Sequence, residues 1–157
     1  MERFNAILQD KEYRYYLDRN RNAETGRIFC RHGLEHFLDV ARIAWIINME
    51  EQQGYPKEII YVTALLHDIG KFMQYEQQIP HEKASWDLAR KFLERQDFTP
   101  EESSLIGRGI LGHREQESAR FAELIYRADK LSRPCFTCEA AEECNWDPQK
   151  KNRSIYY

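Results

Sequence analysis

Apolar side chains recur along this chain mainly at spacings of three and four, the period of a helix buried on one face. Phe4, Ile7 and Leu8 begin such a stripe, which continues through Tyr15 into Leu17 and stops at the polar run DRNRNAETGR, expected to be a loop. From about His32 to Glu51 the segment HGLEHFLDVARIAWIINMEE is apolar on most faces. Leu34, Phe37, Leu38, Ala41, Ala44 and Trp45 form one broad stripe, and Val40, Ile43 and Ile47 another. Such a helix is expected to be central.

Gly54 follows that helix and Pro56 suits a first helical turn, so a new helix is expected through Ile59 to about Ile69. In IPHEKASWDLARKFLERQ, the residues His81, Ala84, Ser85, Leu88, Phe92 and Leu93 share a face, with His81 in the first turn. Thr99, Pro100 and Glu102 have the pattern of a capping box with proline at the first helical position, opening a helix that reaches about His113. Gly107, Gly109 and Gly112 weaken this helix and imply either close backbone contact or adjustable geometry near that histidine. A last long helix, roughly Gln116 to Leu131, turns Phe121, Leu124, Ile125 and Ala128 inward and ends before Pro134. No segment alternates as a strand would, and none repeats. The expected fold is all-α, one helical bundle of roughly six to seven helices.

Length and charge narrow the setting. The 157 residues suffice for one domain with a real core. With 23 basic and 26 acidic residues the net charge of −3 implies no extended nucleic-acid surface, while leaving room for a local basic pocket. The N-terminus MERFNAILQDKEYRYYLDRN has no signal-peptide core, and no later run approaches membrane-spanning length. A cytoplasmic protein without a membrane partner is expected.

The stretch ALLHDIGKF places a histidine, an aspartate and a lysine directly after buried leucines, where ionisable groups need partners or a metal. His36, His67, His81 and His113 each lie on or beside an apolar face of a different predicted helix, and Asp129 does so on a fifth. With Asp68 they make six N/O donors. Imidazole and carboxylate together suit zinc, iron, manganese and related divalent ions, and helical bundles build such sites from inward side chains on facing helices. His32, four residues before His36, is expected to be exposed.

The segments EHFLDVARIA, LLHDIGK, PHEKAS, ILGH and YRADKLS resemble, in order and approximate spacing, the HD superfamily of metal-dependent phosphohydrolases over most of residues 28–133. The expected organisation is an HD-type helical domain over 1–134, with its core over 28–133, and a cysteine-containing tail over 135–157 packed on it or extending from it. The resemblance implies that His36, His67, Asp68 and Asp129 hold one metal, that His81 and His113 match histidines binding a second ion in dinuclear members, and that Asp68 bridges the two. The implied ions are one or two of Fe, Mn, Zn, Co, Ni or Mg. An acidic pair after His-Asp, as in alarmone hydrolases, is missing from HDIGKFMQYE, and no downstream GYP signature marks the cyclic-dinucleotide class.

A bound divalent ion lowers the pKa of water from about 15.7 to about 7 and neutralises phosphoryl charge. Lys71, one turn after His67, is placed to reach a phosphate as a point charge, and Arg114, beside His113, to hold another in a fork. With Asp68 they form the candidate catalytic set. The expected activity is hydrolysis of a small phosphorylated substrate, a nucleotide or other phosphomonoester or phosphodiester. The alternatives are a di-iron oxygenase of the same superfamily and a non-catalytic metal- or nucleotide-binding regulatory module.

Cys135, Cys138 and Cys144 form a CxxC followed by a third cysteine after five residues, and Cys30 is the only other cysteine. A second site holding zinc or an iron–sulfur cluster needs all four. The plainer alternative is reduced, packed thiols. The closing DPQKKNRSIYY is expected to be loosely held unless its tyrosines pack on the body.

Overall fold

The structure, a computed structural model, describes residues 1–114 and 120–157. Eight α-helices occur among them: α1 (Glu2–Gln9), α2 (Lys11–Ala23), α3 (Leu34–Glu50), α4 (Lys57–Leu66), α5 (Lys71–Gln77), α6 (His81–Arg95), α7 (Pro100–Gly112) and α8 (Arg120–Leu131). Two short 3-10 turns follow at Cys135–Thr137 and Pro148–Lys150. The described residues contain no strand, and no helix is long and apolar enough to cross a membrane. The expected start of the last helix at Gln116 lies outside the described residues.

The N-terminal stripe is divided rather than continuous. Asp10 is extended and its side chain accepts hydrogen bonds from the backbone N–H of Glu12 and Tyr13, ending α1 and capping α2 in one residue. Beyond it the helix persists to Ala23, so the first half of the DRNRNAETGR run is helical, not a loop. Asn20 explains the difference. It is fully buried, donating from Nδ2 to the carbonyl of Asp68 at 2.9 Å and accepting from the N–H of Phe72 at 2.8 Å. A polar residue held inward by hydrogen bonds leaves no apolar periodicity to read.

α3 packs along α4 and α8, and α7 lies against α4, α6 and α8. The helix enclosed on every side is α4, where Ile59, Ile60, Val62, Thr63, Ala64, Leu65 and Leu66 are all buried. α3, expected to be central, keeps Ile46 and Met49 exposed on an outer face. The turn between these two is closed by Asn48, whose side chain donates to the Tyr55 carbonyl at 3.2 Å and accepts from its N–H at 2.9 Å. Gly54 in that turn has φ of +78°, in the left-handed region open to glycine.

The predicted helix after Pro56 stops at Leu66, and the residues 67–70 turn the chain into α5. Gly70 makes this turn possible by proximity. A Cβ there would stand 2.5 Å from the backbone N of Ser85 and 2.6 Å from the carbonyl carbon of Ala84, so α6 approaches closer than any side chain permits. The Gly70 N–H donates to Ser85 Oγ at 3.0 Å. The expected capping box is present at Thr99, and the expected close contacts occur at two of the α7 glycines. Gly107 meets the Trp86 ring, and Gly109 meets Thr63 and Phe121.

Candidate metal centre

Helix ends deliver the histidines. His67 follows the last residue of α4, His113 the last of α7, and His81 is the first of α6, while His36 lies in the first turn of α3 and Asp129 near the end of α8. The six side chains expected to share a site do so. One atom each from His36, His67 and Asp129 lies within 4.8 Å of the others, and the same holds for Asp68, His81 and His113. All six residues are buried.

Asp68 joins the two groups. Its Oδ2 is 3.5 Å from His67 Nε2, and its Oδ1 is 3.2 Å from His81 Nε2 and 3.6 Å from His113 Nε2. On the other side, Asp129 Oδ1 is 3.3 Å from His36 Nε2 and 3.9 Å from His67 Nε2.

Each histidine is backed at Nδ1 by an acceptor. The partners are Ser132 Oγ at 3.0 Å for His36, the Ala64 carbonyl at 2.7 Å for His67, Gln74 Oε1 at 2.5 Å for His81 and the Ile110 carbonyl at 2.5 Å for His113. Ser132 in turn donates to the Asp129 carbonyl at 2.8 Å, so its oxygen is free to accept from His36. This pattern puts the proton on Nδ1 and turns the Nε2 lone pairs of His67, His81 and His113 inward, the arrangement that fixes histidines as metal ligands, while His36 Nε2 accepts from Arg133.

The inward atoms fit a cation. His67 Nε2 and Asp68 Oδ1 are buried without a hydrogen-bond partner, and an unpaired buried group of this kind costs on the order of 1–3 kcal/mol. His81 Nε2 and His113 Nε2 face each other at 3.3 Å, two lone pairs that a shared positive charge reconciles. Burial pushes His67 down to about 3, and burial together with the nearby Arg133 charge pushes His36 down to about 4, so both stay neutral and able to donate. Burial also tends to raise Asp68, but the neighbouring His67 and His32 hold it well below the usual carboxylate range.

Sequence reasoning missed the residues that support these donor side chains. His32 is buried, not exposed. Its Nε2 is 3.5 Å from Asp68 Oδ2, and its Nδ1 pairs with Glu24 Oε1 at 2.5 Å. Glu24 also accepts from the His32 N–H at 2.7 Å and the Tyr75 hydroxyl at 2.7 Å. Burial alone would raise Glu24, yet these bonds hold it at about 2. The four-residue spacing from His36 was the available signal, but His32 precedes the helix, so its direction could not be read from periodicity.

Arg133 is 4% exposed and reaches between the ligands, its Nη2 donating to His36 Nε2 at 2.8 Å and to Asp129 Oδ1 at 3.0 Å. Lys130 donates to the other Asp129 oxygen at 2.5 Å. Lys71 comes close as expected, with Nζ 3.2 Å from His81 Nδ1, and burial pulls its pKa down against the opposing charge of Asp68. Arg114 does not enter the cluster. It is exposed at the rim, 3.4 Å from Glu82.

The HD-domain family profile matches residues 33–133. The chain belongs to the HD-domain family. Members of this family generally bind divalent metals and act as metal-dependent hydrolases, and the donor groups around Asp68 suit that chemistry. An uncharacterized protein of Clostridium beijerinckii is 57% identical over 157 residues, covering 100% of both chains. Ribonuclease Y of Oleidesulfovibrio alaskensis is 31% identical over 106 residues, 66% of this chain and 18% of that one. Ribonuclease Y of Aquifex aeolicus is 32% identical over 106 residues, again 66% of this chain and 17% of the relative. The HD-domain chain thus spans under a fifth of the length of these two ribonuclease Y relatives. No solved structure matches it.

Proposed function

We propose that this HD-domain chain is a metal-dependent phosphohydrolase that cleaves a small phosphorylated substrate, a nucleotide or another phosphomonoester or phosphodiester, with two metal ions in the shared site. The observation that carries this reading is Asp68, whose two oxygens face two separate donor groups. In it His36, His67 and Asp129 hold one ion, His81 and His113 the other, and Asp68 joins them.

Divalent ions held there would lower the pKa of water to about 7 and neutralise phosphoryl charge. The protein supplies the placement. Gln74, Ser132 and the Ala64 and Ile110 carbonyls fix the imidazoles, so no reorganisation of ligands accompanies the reaction. A cavity of about 610 Å³ opens beside His36 and is lined also by Arg21, Arg31 and Arg133, with Ile28 and Phe29 as apolar wall. Asp18, Glu24, Glu35 and Asp39 share this lining, so the guanidinium groups suit a phosphate only together with the charge of bound metal, while Phe29 offers a face to a base. Lys71 sits on the His81 side as a further cation for the substrate, and Arg114 is the candidate for a second phosphate at the rim. The partial likeness to proteins named ribonuclease Y supports phosphodiesters among the substrates.

The test is a panel of nucleotides, dinucleoside polyphosphates and short oligoribonucleotides with manganese, iron or cobalt. Phosphate or nucleotide release that His67→Ala abolishes, with helical circular dichroism retained, supports the reading. Metal-loaded protein that releases nothing from the panel, or that consumes oxygen at an iron pair instead, contradicts it.

A further inference from the structure

All four cysteines line one small cavity. Cys30, Cys135, Cys138 and Cys144 surround a space of about 80 Å³ between the chain before α3 and the segment after α8. They are distant in sequence, Cys135 lying 105 positions after Cys30, yet the tail folds back as a unit to meet Cys30. Asn152 is buried and donates to the Leu131 carbonyl at 2.6 Å, and Lys151 donates to the carbonyls of Ala141 at 3.0 Å and Cys144 at 2.9 Å. The expectation of a loosely held terminus therefore fails at Lys151 and Asn152, while residues 147–150 around the preceding turn are exposed. None of the four thiols is in a disulfide.

The charged lining is cationic. Arg27, Arg133 and Lys151 border the cavity beside His32, Asn145 and the apolar Phe29, Ala141 and Trp146, and among the described residues no aspartate or glutamate does. Arg133 Nε is buried with no hydrogen-bond partner, although the same side chain satisfies Nη1 on the Arg31 carbonyl at 3.1 Å. An unpaired guanidinium N–H on a side chain that lines this space, together with the positive border, suits an anionic occupant that accepts hydrogen bonds.

Spacing separates the two thiolate-bound centres that fit this description. A single zinc with bonds of about 2.3 Å draws its four sulfurs to roughly 3.8 Å from one another. Among the described residues no three of these sulfurs lie within 4.8 Å of one another, whereas the histidine and aspartate donors next door do. Thiols set around a cavity, rather than closed on a point, match a polynuclear cluster whose own irons and sulfides fill the middle. We propose that Cys30, Cys135, Cys138 and Cys144 bind an iron–sulfur cluster, a second centre separate from the histidine and aspartate site. Its negative charge is met by Arg27, Arg133 and Lys151, and its sulfur accepts from Arg133 Nε. Through Arg133, whose Nη2 touches His36 and Asp129, the occupied cluster helps set the geometry of the neighbouring metal site.

The full chain, produced with ample iron and purified without oxygen or chelator, tests this by its iron and acid-labile sulfide and by its visible spectrum. The expected result is about four sulfides per chain for a cubane cluster, with a broad visible absorption bleached by dithionite. In Cys138→Ala and Cys144→Ala sulfide and absorption fall to background while manganese binding at the histidines persists. In His67→Ala the sulfide stays at the wild-type level. Wild-type protein without sulfide, whether it carries zinc at the cysteines or no metal there, overturns the proposal, and that measurement needs no variant to fold.

Discussion

Asn20 donates to the carbonyl of Asp68 at 2.9 Å across 48 residues of sequence, pinning the turn that carries this carboxylate to the last turns of α2. The same amide oxygen accepts from the Phe72 N–H, so one side chain satisfies both flanks of the turn. Asn20→Leu leaves two buried backbone groups unpaired. The expected loss is about 2–4 kcal/mol of stability, read from denaturant unfolding, together with weaker metal binding. Unchanged stability would show that the turn holds its shape without α2.

Gly70→Ala forces a methyl into the backbone of Ala84 and Ser85. Those atoms belong to the first turn of α6 and cannot swing aside as a flexible side chain would. The displacement also moves His81 away from Asp68. Overpacking of this kind costs roughly 1–3 kcal/mol and sometimes more. Thermal unfolding should show a clear drop in midpoint, and the ion on the His81 side should be the one bound more weakly.

How much of this was legible beforehand differs by residue. His36, His67, His81, His113 and Asp129 stood out because ionisable groups on apolar faces need an explanation, and helical period fixed which way each pointed. Asn20, Glu24 and His32 carried no such mark, since polar residues in a polar run look solvated until a tertiary partner is seen. Arg133 was hidden similarly, lying past the end of α8 where no period applies. The Gly107 and Gly109 contacts were foreseeable because glycine in a helix is unfavourable without a close neighbour. The break at Asp10 and the separate α5 depend on one-residue caps and on the Gly70 approach, features that sequence periodicity averages away.

His32→Ala removes the imidazole that stands 3.5 Å from Asp68 and frees Glu24 to face the site uncompensated. Partners of metal ligands typically account for a tenfold to about a hundredfold in metal affinity or activity. A loss in that range is expected, measured by metal titration and by turnover on the best panel substrate. Glu24→Gln should weaken binding less, because it keeps a side chain able to accept from His32.

Acid should release the N-terminus. The Met1 ammonium and Arg3 pair with Glu58 at 2.8 and 2.9 Å, and Arg3 forks onto Glu102 with two bonds of 2.8 Å, linking α1 to α4 and α7. Burial tends to raise Glu58, but the ammonium and Arg3 hold it below its ordinary value, and the Arg3 hydrogen bond lowers Glu102. Carboxyls depressed on folding contribute stability that is present above their unfolded pKa near ~4.3 and lost as pH falls through the lower folded values. Arg3→Ala should therefore lower stability by on the order of 1 kcal/mol at neutral pH. The gap between variant and wild type should close as unfolding is repeated toward pH ~3. A gap that stays constant over that range would contradict the assignment.

Manganese binding measures the central claim most directly, because manganese favours nitrogen and oxygen donors over thiolates and so reports the histidine and aspartate site alone. Two manganese ions per chain are predicted for the wild type, one for His81→Ala and none bound tightly for Asp68→Ala. A wild-type chain that takes up no manganese, or an Asp68→Ala chain that still binds two as firmly, would contradict a shared site joined through Asp68.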